Sequence, residues 1–132
     1  MNKILAIIVS YNAMPWIEKC LGSLKKSKTA VDVFIVDNGS TDGTQQYIKD
    51  NYPEFHFLQS EKNIGFGAAN NIGLKYALEK KYDYVYLLNQ DAWIKADTIG
   101  IMIDAWPKGF GILSPIQKDA KGKLDKNFEK KC

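Results

Sequence analysis

Five apolar runs divide the chain, and each stops in polar or turn-forming residues. Lys3 to Val9 ends at Ser10-Tyr11-Asn12, and Val31 to Val36 ends at Asp37-Asn38-Gly39-Ser40. Phe55 to Leu58 is a shorter run, Tyr84 to Asn89 leads into Gln90-Asp91, and Phe110 to Ile116 is the last. Runs that are continuous rather than alternating predict strands buried on both faces of a parallel sheet. Between them the period changes to that of a helix. Ile17, Leu21 and Leu24 recur at helical spacing beside Trp16 and Cys20, predicting a helix over 13–27 packed on the first strand. Pro15 falls in its first turn, and Lys25, Lys26 and Lys28 lie at its C-terminal end, where cations suit the helix dipole. A second helix is predicted from about Thr41 to Asn51, stopped by Pro53. Glu61 to Gly73 reads as a glycine- and asparagine-rich loop running into a third helix, with Ile72, Tyr76 and Ala77, that ends near Lys80. A short fourth helix over Ala96 to Ala105 is broken by Pro107, Gly109 and Gly111. Strands alternating with helices predict an α/β fold, a mostly parallel sheet with helices on both faces.

Composition narrows the class of partner. The chain has 132 residues, one domain by length, and a formal net charge of +3. Six of its lysines lie between Lys118 and Lys131, so the preceding body is neutral. There is no arginine. A nucleic-acid binder places Arg and Lys along one face, so nucleic acid is not an expected partner and the lysine-rich end reads as solvated. Cys20 and Cys132 are too few and too far apart for a disulfide framework or a metal knuckle. The apolar run from Ile4 to Val9 is too short for a signal-peptide core or a membrane span. These features predict a cytoplasmic protein.

Three strand ends carry hydrogen-bonding side chains: Ser10-Tyr11-Asn12, Asp37-Asn38 and Asn89-Gln90-Asp91. In a parallel sheet these ends share one edge, where ligands of open α/β sheets bind. Asp37 or Asn38 could meet the edge of a pyrimidine base or a ribose, and Tyr11 offers a face for a base. Asp91 either caps the next helix or offers a hard oxygen ligand to Mg²⁺ or Mn²⁺. Gly65 and Gly67 permit close backbone approach, with an anion at the following helix N-terminus. Together these residues suit a nucleoside diphosphate with a bridging cation. Asp42 is expected to satisfy turn amides or the helix start. His56 is expected to fill an edge strand, Trp93 to pack the next helix and Trp106 to pack a helix end.

Val9-Ser10-Tyr11-Asn12, the stretch Val36 to Thr44, Asn63-Ile64-Gly65-Phe66-Gly67 with Asn70-Asn71-Ile72-Gly73, and Leu87-Leu88-Asn89-Gln90-Asp91 occur in one order and spacing. This set resembles the family 2 inverting glycosyltransferases of the GT-A fold, the nucleotide-diphospho-sugar transferase type, and among them the rhamnosyltransferase-like branch. The resemblance covers about the first 117 residues. It implies a UDP- or dTDP-sugar donor, Mg²⁺ or Mn²⁺, and transfer to an acceptor hydroxyl with inversion. It places the D-x-D-type motif of the family on Asn89-Gln90-Asp91, with Asn89 in place of the first acid and Asp91 as the metal contact. It places base recognition at Asp37–Asn38 and the nucleoside beside Tyr11 and Asn12. Ser10, Asn63, Gly65, Asn70 and Asn89 complete the expected nucleotide site. A glycan or lipid-linked acceptor is implied, and with it peripheral association at the inner face of a membrane. Donor sugar, acceptor and oligomeric state stay open.

Inversion needs a general base to take the acceptor proton. Beyond Asp91 the acids are Asp97, Asp104, Asp119, Asp125 and Glu129, and none falls in a segment that matches the family's base. Members of the family are also much longer. The expectation is therefore a truncated, donor-binding GT-A half-domain over 1–117, followed by a lysine-rich tail over 118–132. Two alternatives stand beside it. One is a dinucleotide-binding oxidoreductase, because Gly65-Phe66-Gly67-Ala68-Ala69-Asn70 approaches a G-x-G-x-x-G fingerprint. Against it, this loop follows the third strand, and the first turn, Tyr11-Asn12-Ala13-Met14, has no glycine. The other is a non-catalytic α/β nucleotide-binding module.

Overall fold

A computed structural model describes residues 2–106. The expected strand Phe110–Ile116, the division at 117 and the lysine-rich end lie outside the described residues. In chain order the elements are β1 (Ile4–Ser10), α1 (Ile17–Lys25), β2 (Asp32–Asp37), α2 (Thr44–Asn51), β3 (His56–Gln59), α3 (Phe66–Glu79), β4 (Tyr84–Leu87) and α4 (Thr98–Asp104). The four strands form one parallel sheet in the order β3-β2-β1-β4.

The unbroken apolar pattern of β1 and β2 follows from burial on two faces. Ile4, Ala6 and Ile8 of β1 join Val33 and Ile35 of β2 in one cluster, covered by Ile17, Leu21 and Leu24 of α1, Ile48 of α2 and Ile99 of α4. Leu5, Ile7 and Val9, with Phe34 and Val36, form a second cluster under Ala69 and Ala77 of α3. Successive strand residues point to opposite faces, so each apolar residue has a helix to pack against.

β4 departs from the reading of a buried strand. Tyr84 and Tyr86 pack on the first cluster, but Val85 and Leu87 on the opposite face are exposed. Among the described residues β4 pairs only with β1 and is a sheet edge. Several boundaries also move. α1 begins at Ile17 because the Ala13 carbonyl accepts from both Trp16 and Ile17, so Pro15 lies in a turn before the helix. α2 begins at Thr44 rather than Thr41, because Gly43 adopts φ +94°, outside the right-handed helical region. α3 begins at Phe66, so Gly67, Asn70 and Gly73 belong to the helix and not to the loop before it.

His56 stacks on Phe34 and approaches Tyr76 at the start of the edge strand β3, as its sequence setting suggested. Trp106 meets Tyr84 edge-on.

Candidate functional site

The sheet changes direction at β1: β2 and β3 lie on one side of it and β4 on the other. Such a reversal leaves a crevice beyond the carboxyl ends of the two strands that flank it, the usual ligand site of open parallel sheets. Here those strands are β1 and β4. Their register, with Ile7 opposite Leu87, and that of Ser10 opposite Asp37, brings all three polar strand ends to one edge.

Asp37 organises this edge from inside. Its side chain is fully buried, at 0% exposure. Oδ1 accepts from the Ser10 and Ser40 hydroxyls at 2.7 and 2.6 Å. Oδ2 accepts from the Gly39 and Ser40 amides at 3.1 and 2.9 Å and from Gln59 Nε2 at 2.9 Å. Burial by itself would raise this carboxyl's pKa. The hydrogen bonds from Ser40, Ser10 and Gln59 outweigh it and hold the pKa below the ordinary carboxylate value. Asp37, expected with Asn38 to meet a base or ribose, and Ser10, expected in the nucleotide site, are both buried and hydrogen-bonded to each other, and they shape the loop at this edge.

Asn38 and Asn12 carry that shape outward. Asn38 Nδ2 donates to the Gly65 carbonyl at 3.2 Å, and its Oδ1 accepts from the Ile64 amide at 3.3 Å. Asn12, at φ +47°, donates its amide to Ser40 Oγ at 2.9 Å and accepts from the Thr41 amide at 2.7 Å. Asp42 accepts from the amides of Thr44 and Met14, the turn role expected of it. Asn63 Oδ1 accepts from the Gly65 amide at 2.8 Å, and Gly65, at φ +87°, turns the chain into α3. No side chain caps the first amides of α3, a helix of 14 residues. Asn70, one turn in, is 7% exposed, and its side chain makes no hydrogen bond among the described residues.

At the other side of the crevice Gln90 does what its neighbours in the motif do not. Its Oε1 accepts from the Tyr11 amide at 2.8 Å, and its Nε2 donates to the Tyr11 carbonyl at 3.2 Å. This paired contact ties the exit of β4 to the exit of β1. It leaves Tyr11 half exposed and Asn89 and Asp91 exposed at the mouth. Asp91 makes no hydrogen bond or ion pair among the described residues and lies well ahead of α4, so it caps no helix. Behind the turn, Cys20 Sγ contacts the Asn89 carbonyl at 3.5 Å. Burial, with a smaller contribution from the Asp91 charge, pushes the Cys20 thiol up to about 12, so it stays neutral.

Ser40, Gln59 and Gln90 are the residues that sequence reasoning left without a role. Gln90 could have been found from its place inside the motif, whereas Gln59 lies in a strand end with nothing to mark it. Trp93 is 46% exposed, and Lys19 of α1 lies over its ring, 3.6 Å from the centroid. No group of three or more His, Cys, Asp or Glu side chains that could hold a metal occurs among the described residues.

The profile of glycosyl transferase family 2 matches residues 5–131. The N-acetylglucosaminyl-diphospho-decaprenol L-rhamnosyltransferase of Mycobacterium tuberculosis is 31% identical over 94% of this chain and 44% of its own length. The teichoic acid poly(glycerol phosphate) polymerase of Staphylococcus epidermidis is 31% identical over 88% of this chain and 16% of its own. Among solved structures, S. aureus TarS 1-349 in complex with UDP superimposes with a TM-score of 0.69 at 25% identity, covering 89% of this chain and 40% of that one. The mannosyltransferase PcManGT from Pyrobaculum calidifontis, in complex with GDP-Man and Mn²⁺, gives 0.69 at 25% identity, covering 80% and 33%. The chain thus spans less than half the length of these relatives.

Proposed function

Because this chain belongs to glycosyl transferase family 2, we propose that it binds the nucleotide and diphosphate of a sugar donor for transfer of the sugar to an acceptor hydroxyl. The observation that carries the reading is the unpartnered Asp91 carboxylate at the reversal point between β1 and β4, on the same carboxyl-end edge of the sheet from which the uncapped α3 starts. Tyr11 offers its ring to the base. Asn12 and Asn38 hold the loops on either side of it, and Asn70 has an amide free to bond a ligand. The first amides of α3 suit the negative charge of a diphosphate.

A divalent cation fits the residues present. A lone exposed carboxylate, with diphosphate oxygens and water for the remaining positions, is a usual setting for Mg²⁺ or Mn²⁺. Asp91 would hold the ion beside Asn89, and when bound it would stabilise the charge left on the departing diphosphate. In the transfer, the bond between C1 of the sugar and the diphosphate oxygen breaks. The acceptor oxygen bonds to C1 from the opposite face, and a base takes its proton. Among the described residues Asp97 is the residue before α4 and Asp104 its last; neither joins the crevice. We therefore assign donor binding to residues 1–117 and leave the base to sequence outside the described residues.

The M. tuberculosis relative acts on a diphospho-polyprenol glycan by its name, and TarS and PcManGT were solved with uridine and guanosine donors respectively. We infer a nucleoside diphosphate-sugar of either base type and a glycan or lipid-linked acceptor. A dinucleotide-binding role has less support: the glycine loop follows β3, an edge strand, and Gly67 and Asn70 lie within α3.

Thermal-shift titration separates these readings. UDP, dTDP or GDP should stabilise the chain in the presence of Mn²⁺ and much less in EDTA, by about 2.7 kcal/mol at a hundredfold excess over Kd. Stabilisation by NAD(H) without metal, or by no nucleotide at all, would overturn the reading.

A further inference from the structure

Gln90 is bonded to one of the two residues assigned to opposite ends of the donor and precedes the other in sequence. Tyr11 offers its ring to the base, and Asp91 its carboxylate to the cation. The pairing of β1 with β4 stops short of both. Its register ends with Ile7 opposite Leu87, and one further bond runs from the Leu88 amide to the Ile7 carbonyl at 3.2 Å. Beyond that point the half-buried Gln90 side chain replaces the ladder. A primary amide has an acceptor oxygen and a donor nitrogen, so it can meet a peptide N–H and a peptide C=O together. Gln90 does this at Tyr11, and among the described residues the Tyr11 backbone has no other hydrogen-bond partner.

Asp91 follows Gln90 within one tight turn. The Ala92 amide donates to the Asn89 carbonyl at 3.0 Å, so Gln90 and Asp91 are the two central residues of a β-turn. A turn closed in this way moves as a unit, and a contact that fixes Gln90 also fixes the backbone of Asp91. Tyr11 is anchored on its other side through Asn12, which bonds the Ser40–Thr41 loop with both its amide and its side chain.

We propose that Gln90 is a positioning residue that couples the two ends of the donor site, holding the Tyr11 ring at a fixed spacing from the Asp91 carboxylate. The coupling rests on the donor-binding reading above. A ligand that reaches both residues binds its second end as an intramolecular step, which gains affinity only where the spacing of the two sites matches the ligand. Fixed spacing also removes an ordering cost from binding. A ligand that reaches Asp91 alone, through a cation, gains nothing from it. Gln90 needs no contact with the ligand for this role, since its oxygen and its nitrogen are both turned to Tyr11.

Gln90→Met keeps the length of the side chain and removes both bonds. Titration calorimetry of the full chain in Mn²⁺ should compare two ligands. One is UDP, dTDP or GDP, whichever wild type binds most tightly, which spans both ends. The other is pyrophosphate, which reaches only the cation end. The variant should bind the nucleotide about tenfold more weakly, with pyrophosphate affinity within about twofold of wild type. Tyr11→Ala should weaken nucleotide binding in the wild-type background and much less in Gln90→Met, the non-additivity expected of residues that act together. A readout without ligand or metal is hydrogen exchange by NMR. The Tyr11 amide should exchange faster in Gln90→Met, while that of Val9 keeps its wild-type rate. Equal weakening of nucleotide and pyrophosphate would make Gln90 a support of the fold alone and overturn the coupling. So would unchanged nucleotide affinity, or additive effects of Tyr11→Ala and Gln90→Met. Failure of the donor reading looks different, because wild type would then bind neither ligand.

Discussion

Asp37 accepts five hydrogen bonds from four residues on three segments of chain, with no exposure to solvent. Its removal leaves buried donors of Ser10, Ser40 and Gln59 unsatisfied, so Asp37→Ala should lower stability by about 3 kcal/mol in urea unfolding. The pH dependence has a fixed sign. The folded carboxyl has a pKa below its ordinary 3.8, so its contribution is complete above that value and is lost as pH falls through the lowered folded value. Thermal midpoints should therefore fall with pH from about 4 downward. Asp37→Asn should flatten this slope, leaving the contributions of exposed Asp42 and Glu54, whose pKa values are also lowered. That an acid ended the second strand was legible in the sequence. That it would be sealed was not, because its partners Ser10 and Gln59 come from two other strands, and their convergence is a property of the sheet.

Among elements, α3 was the hardest to bound. Gly67, Asn70, Asn71 and Gly73 are all poor helix formers, and local propensity favours a loop. Packing decides otherwise. At Gly73 an added Cβ would lie 2.6 Å from Ile7 Cγ2 and 2.9 Å from Ile7 Cδ1, so the helix approaches β1 closely only because no side chain intervenes. Gly73→Ala gains helix propensity of about 1 kcal/mol but overpacks a buried contact, and a net loss of about 1–2 kcal/mol is expected. Ile7→Ala removes the clashing atoms. In a double-mutant cycle by chemical unfolding the pair should cost less than the sum of the single changes. Additivity would show that the helix can shift without straining the sheet. The strands β1 and β2 were legible for the complementary reason: burial on both faces leaves an unbroken apolar run. Tyr84 to Leu87 has the same pattern, yet half of it is exposed, since sequence does not say which strand takes the edge.

On the scale of the molecule, a four-stranded parallel sheet reverses its order beside β1, and the groups at that reversal form one polar edge. All four motif segments are joined there by three polar contacts: Asn38 to Gly65, Asn12 to the Ser40 loop, and Gln90 to Tyr11. The convergence was foreseeable from strand order in a parallel sheet, whereas the division of labour within it was not. Residues expected to touch ligand divide into an inner set that holds shape and an outer set that is free to bind. Asp91 belongs to the outer set, and the account depends on it most. Isothermal titration of the chain with UDP or GDP, in Mn²⁺ and in EDTA, compares wild type with Asp91→Ala. Wild type should bind at least about tenfold more tightly with Mn²⁺, and Asp91→Ala should lose that difference while retaining the metal-free affinity. An undiminished response to Mn²⁺ in Asp91→Ala would contradict the account.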